Sequence, residues 1–135
     1  MALLGENGAG KSTFISICTG QTECTSGYAL ISNFDIRTQM TSVRLVIGVT
    51  PQFSLLWDTL TVQEHLLFYA RMKGIHPQLE EDHVLQTMKN FGLLQFSNKL
   101  TKELSGGTKR RLSIAISLTG DSNLVFLDEP VRLMT

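Results

Sequence analysis

The chain has 135 residues, room for one domain with a sizeable apolar core, and 42% hydrophobic residues against 18% charged ones. Twelve Lys plus Arg balance twelve Asp plus Glu, which excludes the basic footprint of a nucleic-acid binder and the polybasic arm of a membrane-surface protein. Two cysteines, Cys18 and Cys24, complete no zinc spacing and suit a reduced chain, and no window reads as a membrane-spanning helix or a secretory leader.

In chain order, Ala2-Leu3-Leu4 is a short apolar strand that ends at Gly5, followed by a glycine-rich loop and a helix with Phe14, Ile15, Ile17 and Cys18 on its buried face, stopping before Gly20. Tyr28 to Ser32, between Gly27 and Asn33, and Val43 to Val49, ahead of Thr50-Pro51, are expected as strands. Thr61 and Glu64 form a capping-box pattern for a helix carrying Val62, Leu66, Leu67, Ala70 and Met72, with Gly74 placed to end it. A second helix is expected over Glu80 to Asn90 with Val84, Leu85 and Met88 inward, and a third after Ser105-Gly106-Gly107 with Leu112, Ile114, Ala115, Ile116 and Leu118 inward. Leu124 to Leu127 is a continuous apolar run before Asp128, as expected of a parallel strand buried on both faces.

Two of these junctions carry chemistry. Gly5, four residues, then Gly10, Lys11 and Ser12 satisfy the GxxxxGK[ST] spacing between a strand and a helix. Glycines let successive N–H groups turn toward phosphate oxygens, and the helix adds its positive end at the same place. Lys11 then reaches the β- and γ-phosphates and the Ser12 hydroxyl reaches magnesium. At the other junction, Asp128 suits a magnesium ligand, often through water, and Glu129 suits the group that orients and deprotonates an attacking water. Between them, Leu104-Ser105-Gly106-Gly107 opens a helix with a hydroxyl and a row of N–H groups suited to an anion.

GENGAGKST, VTPQ, LSGGTKRRLS and LVFLDEP resemble, in that order, the Walker A loop, Q-loop, signature motif and Walker B of ABC transporter nucleotide-binding domains. The resemblance covers nearly the whole chain. It implies an α/β fold, a P-loop NTPase parallel sheet with an inserted helical subdomain, here residues 53–104, within one partial ATPase domain at 1–135. It also implies that Gly5, Glu6, Asn7, Gly8, Ala9, Gly10, Lys11, Ser12 and Thr13 bind ATP. Ser12, Gln52 and Asp128 would hold Mg2+, with Gln52 also joining the helical subdomain to the γ-phosphate, and Glu129 would be the general base. Leu104, Ser105, Gly106 and Gly107 would act on the ATP of a second nucleotide-binding domain, in the same or another chain, so each domain supplies half of each site. The other implied partner is a transmembrane domain that holds the motor at the cytoplasmic face of a membrane; no nucleic acid is implied.

The stretch from residue 47 to 74 resembles the A subfamily, whose members move lipids, although Thr50 stands where many of them carry Cys. At both ends the chain departs from the family pattern. No adenine-stacking aromatic or β-subdomain precedes the loop, Tyr28 lies on the wrong side of it, and Val131 to Thr135 match neither the D-loop nor the histidine switch. The resemblance is therefore to a domain truncated at both ends, expected to be inactive alone, with the Ala2–Leu4 and Leu124–Leu127 strands either separated by a gap or collapsed together. An incompetent short protein that binds nucleotide at most, or pairs with an intact domain, is the alternative. A soluble ABC ATPase of chromosome maintenance fits less well because Ser12 and Ser105 are too close in sequence for intervening coiled coils, and the stretch around Glu64-His65-Leu66 argues against a translation factor.

Among the remaining residues, Trp57 and Phe68 suit either the helical core or a docking face for the transmembrane domain. Lys99, Lys102, Lys109, Arg110 and Arg111 read as a solvated helix face, with contact to the transmembrane partner as the alternative, and His65, His76 and His83 as structural or surface residues.

Overall fold

The computed structural model describes residue 6 and residues 8–50, 56–120 and 122–127. Helix α1 (Lys11–Cys18) follows the glycine loop, then a small hairpin forms from β1 (Leu30–Ile31) and β2 (Phe34–Asp35). Helix α2 (Met40–Val46) runs directly into β3 (Ile47–Thr50), and helices α3 (Val62–Met72) and α4 (Glu80–Asn90) follow. Two single 3-10 turns, Leu94–Phe96 and Thr101–Glu103, lead to α5 (Gly106–Leu118) and β4 (Leu124–Leu127).

The hairpin refines the expected Tyr28–Ser32 strand. Ser32 and Asn33 have φ of 50° and 68°, the left-handed pair a two-residue reversal needs to match strand twist, so the chain folds back after two residues of strand. The Val43–Val49 strand is corrected more substantially: residues up to Val46 belong to α2 and only Ile47 onward is extended. One turn of apolar residues has no period long enough to separate helix from strand.

β3 and β4 pair in parallel, with Ile47 opposite Leu124 and Thr50 opposite Leu127. The expectation that β4 is buried on both faces is not met among the described residues, since Leu124 and Leu127 are 41% and 42% exposed. The Ala2–Leu4 strand expectation lies outside the described residues. Across the sheet face, β3 touches α5 so closely that a Cβ added to Gly48 would sit 1.7 Å from the Ser117 carbonyl oxygen. A side chain there would drive sheet and helix apart.

Two apolar clusters result. The first joins Cys18 of α1, Ile31 and Ile36 of the hairpin region, Val43 of α2 and Ile47 of β3. The second gathers Val62, Leu66 and Ala70 of α3, Val84 and Met88 of α4, Leu93, Leu104, and Leu112 and Ala115 of α5. Removing a side chain such as Leu66 from water contributes about 2 kcal/mol. Four residues of the expected apolar faces, Phe14, Met72, Leu85 and Leu118, are instead exposed.

The capping box forms as expected. The Thr61 hydroxyl accepts from the Glu64 N–H at 3.2 Å, and the Glu64 carboxylate accepts from the Thr61 N–H at 2.7 Å. The same bonds hold the Glu64 carboxyl below its ordinary range. Two further donors at this helix start reach the 97–99 loop, Val62 to the Lys99 carbonyl and Gln63 to the Ser97 carbonyl. At the other end of α3, Lys73 donates to the carbonyls of Arg44, at 2.8 Å, and Ile47. Burial of this ammonium lowers its pKa. Arg44 in turn donates to the Gly20 carbonyl at 3.3 Å, so the last turn of α3 is linked through α2 to the turn after α1.

Candidate functional site

The glycine loop builds an open helix start. Gly8 and Gly10 have φ of 84° and 89°, and a Cβ at either would meet nothing within 4 Å. The requirement for glycine here is therefore conformational, and the space above the loop is open. The first helical bond runs from Phe14 N–H to Gly10 carbonyl at 2.9 Å, so the first-turn N–H groups of α1 point out of the helix end toward the loop. Among the described residues no side chain caps this end, its N-cap being Gly10, and the first turn carries no acid. By contrast, α4 opens on Glu80, Glu81 and Asp82.

Lys11 closes the loop on itself, donating from Nζ to the Glu6 carbonyl at 2.8 Å, an oxygen that also accepts from Ala9 N–H at 3.1 Å. Ser12 and Thr13 lie exposed beside it. This donor set fits a phosphate group, because the first turn of α1 carries no acid and the ammonium is within the same turn. Gly5 and Asn7 of the loop, and the proposed site residues Gln52, Asp128 and Glu129, lie outside the described residues. Of the three magnesium ligands named from sequence, only Ser12 is described, and no group of three or more His, Cys, Asp or Glu among the described residues could hold a metal.

The Leu104–Gly107 element has a different construction. Leu104 is buried in the helical cluster, while Ser105, Gly106 and Gly107 are exposed at the start of α5. Ser105 is the N-cap, its Oγ accepting from Thr108 N–H at 3.2 Å. The Thr108 hydroxyl lies 2.9 Å from the same Oγ and accepts from Arg111 Nη2 at 3.3 Å. Arg111 Nη1 also donates to the Gly92 and Phe91 carbonyls, at 3.2 and 3.4 Å, beyond the end of α4.

The basic cluster is therefore not simply a solvated face. Arg110 is only 6% exposed, and both Lys99 Nζ and the Arg111 guanidinium lie over the Phe96 ring, 5.7 and 6.0 Å from its centroid. From sequence Thr108 carries no role and Arg111 reads only as part of the basic face; their spacing from Ser105, three and six residues along the chain, was the available signal.

Trp57 divides its roles as well. It is 46% exposed, yet its ring packs on His65, Phe68 and Tyr69 with centroids 5.6, 5.1 and 6.1 Å away. His65 is structural: fully buried, it accepts at Nε2 from Trp57 N–H at 3.0 Å, which leaves Nδ1 to donate to the Thr61 carbonyl at 2.9 Å. Burial lowers its pKa and favours this neutral form. Cys18 is buried and Cys24 half-buried, and both are free thiols.

Against known proteins, the ABC transporter family profile matches residues 1–132. The chain is 48% identical to ABC transporter A family member 7 of Dictyostelium discoideum over 96% of its own length and 16% of that protein's. It is 41% identical to ATP-binding cassette sub-family A member 7 of Rattus norvegicus, again over 96% of its length but 6% of the relative's. Among solved structures it superposes on the ATP-binding subunit of an ABC transporter with a TM-score of 0.85 and 26% identity, covering 96% of this chain and 54% of that one. A dimeric ATP-binding cassette in a post-hydrolysis state, bound to ADP and Pi, gives 0.82 and 25%, with coverage of 96% and 60%. The expected α/β P-loop NTPase fold is thus the observed one. With its motifs in order and its family match spanning nearly every residue, the chain belongs to the ABC transporter family.

Proposed function

We propose that this chain works as part of the ATP-hydrolysing motor of an A-type ABC transporter, at the cytoplasmic face of a membrane, and that the transported molecule is a lipid. The observation that carries the ATPase reading is the start of α1, a helix end with no side-chain cap and no acid, set under two left-handed glycines beside a lysine. The A-family relatives support the choice of cargo class.

In this reading Gly5 to Thr13 wrap the triphosphate. The N–H groups at the head of α1 bind phosphate oxygens, and Lys11 exchanges the Glu6 carbonyl for the β- and γ-phosphates. Ser12, Gln52 and Asp128 would hold Mg2+, which supplies neutralisation of phosphate charge. Glu129 takes the proton from the attacking water, and Gln52 reports the γ-phosphate to the helical subdomain, residues 53–104. Leu104 to Gly107 act on the ATP of a second nucleotide-binding domain: Leu104 anchors the element, Ser105 and the glycine N–H groups face outward. The dimeric relative bound to ADP and Pi supports such pairing. The exposed parts of Trp57 and Phe68 would meet a transmembrane domain.

Nucleotide binding and turnover by the full-length protein test this reading. Lys11→Ala should lose most ATP affinity; Glu129→Gln should keep affinity and stop hydrolysis. Unchanged turnover in Glu129→Gln removes that residue from the base role, and unchanged ATP affinity in Lys11→Ala removes the loop from phosphate binding.

A further inference from the structure

We infer that Arg111 is a positioning residue for the signature serine, acting through the Thr108 hydroxyl to leave the Ser105 proton available to a phosphate on the partner domain; this rests on the reading that Ser105 serves that phosphate.

A hydroxyl has one proton to donate and two lone pairs to receive. Thr108 is buried, and its Oγ1 lies between the Arg111 guanidinium at 3.3 Å and Ser105 Oγ at 2.9 Å. A guanidinium only donates, so Arg111 occupies a lone pair of Thr108 Oγ1 and favours the orientation in which Thr108 gives its proton to Ser105. Ser105 Oγ already accepts from Thr108 N–H at 3.2 Å. With both lone pairs filled by Thr108, the serine's own proton has no use inside the helix and points to the exposed side. Were Arg111 absent, Ser105 would be freer to donate inward to Thr108 and present a lone pair to the phosphate, which repels it.

The arginine is itself held by the helical block. Its Nη1 donates to the Phe91 and Gly92 carbonyls just past the end of α4, where unpaired helix carbonyls favour a cation. The Phe96 ring lies 6.0 Å from the guanidinium carbon. Gly92 leaves room for it, since a Cβ at that position would come within 3.1 Å of Nη1. The fork is essential to this role: one arm grips α4's end and the other Thr108, and a lysine ammonium cannot span both.

The test is steady-state ATP hydrolysis by the full-length protein paired with a second nucleotide-binding domain, comparing Ser105→Ala, Arg111→Met, Arg111→Lys, Thr108→Val and the Arg111→Met/Thr108→Val double variant. Arg111→Met should lower kcat about tenfold with KM for ATP within about twofold, as loss of one charge-assisted orienting bond predicts. Arg111→Lys should fall as far as Arg111→Met. Thr108→Val removes the inward acceptor for the serine proton, so it should cost less than Arg111→Met, and the double variant should recover most of what Arg111→Met loses. Rescue by lysine, or a double variant as impaired as Arg111→Met, overturns the proposal. Should Arg111→Met fail to fold, Arg111→Lys carries the test, and an unchanged kcat there overturns it. A fall in Ser105→Ala without one in Arg111→Met defeats the arginine's role alone; no fall in Ser105→Ala defeats the signature reading and this inference with it.

Discussion

At the start of α1, Gly10 in the left-handed region is the N-cap and offers no side chain to the first N–H groups, and the first turn carries no acid. At the starts of α3 and α5 the protein does the opposite: Thr61 with Glu64, and Ser105 with Thr108, satisfy those groups internally. The two regions also differ in packing. The cluster around α1 is built from short elements and keeps Phe14 47% exposed, whereas Leu66, Leu93 and Leu112 are fully buried in the helical block. Helix ends that the protein caps for itself contribute stability; the head of α1, under two left-handed glycines, is the uncapped one to which we assign a phosphate.

The sharpest way to break this division is at the joint between the regions. Gly48→Ala places a methyl group against the Ser117 carbonyl and should lower the unfolding free energy by about 3 kcal/mol or more in urea titration. A smaller loss would mean the sheet and α5 are not firmly packed. Next, Leu66→Ala should cost about 3 kcal/mol, and Phe14→Ala less than about 1, because Leu66 is 1% exposed and its removal leaves a cavity. Equal losses would erase the contrast in packing.

Capping sharpens the comparison at lower cost. Thr61→Ala should destabilise by about 1 kcal/mol. Ser12→Ala, in the first turn of α1, should change stability by less than about 0.5 kcal/mol while reducing ATP turnover, since its hydroxyl caps nothing. The smallest effect is on pH dependence. The pKa of His65 is lowered below 6.5 in the fold by burial, so the unfolded chain takes up its proton first as pH falls. Stability should decline as pH drops from 6.5 through the folded pKa and level off below it. Calorimetry from pH 7.5 to 5 should show this decline in the wild type and less of it in His65→Gln.

Much of this was legible because its determinants are local. The capping box, α4's bounds at Glu80 and Asn90, and the start of α5 follow from residues three or four apart, and the glycine loop is one contiguous motif. The α2–β3 boundary was not legible, because Val43 to Val49 is apolar apart from Arg44 and only packing on Cys18 and pairing with β4 divide it at Ile47. The exposure of β4 depends likewise on what lies beside it in space. At the signature, Ser105 was visible, but the grip of Arg111 on the Phe91 and Gly92 carbonyls spans about twenty positions and leaves no periodic trace. His65 was legible only as a histidine without metal partners; its bond to Trp57 arises from the approach of a loop.

Lys73 carries one more consequence. Its ammonium binds two carbonyls, one at the last turn of α2 and one at the first residue of β3, while its stem lies over Gly120, where even a methyl group would collide at 2.6 Å. The single ammonium is thus a rivet through α3, α2 and β3, so that removing its charge would loosen three elements at once.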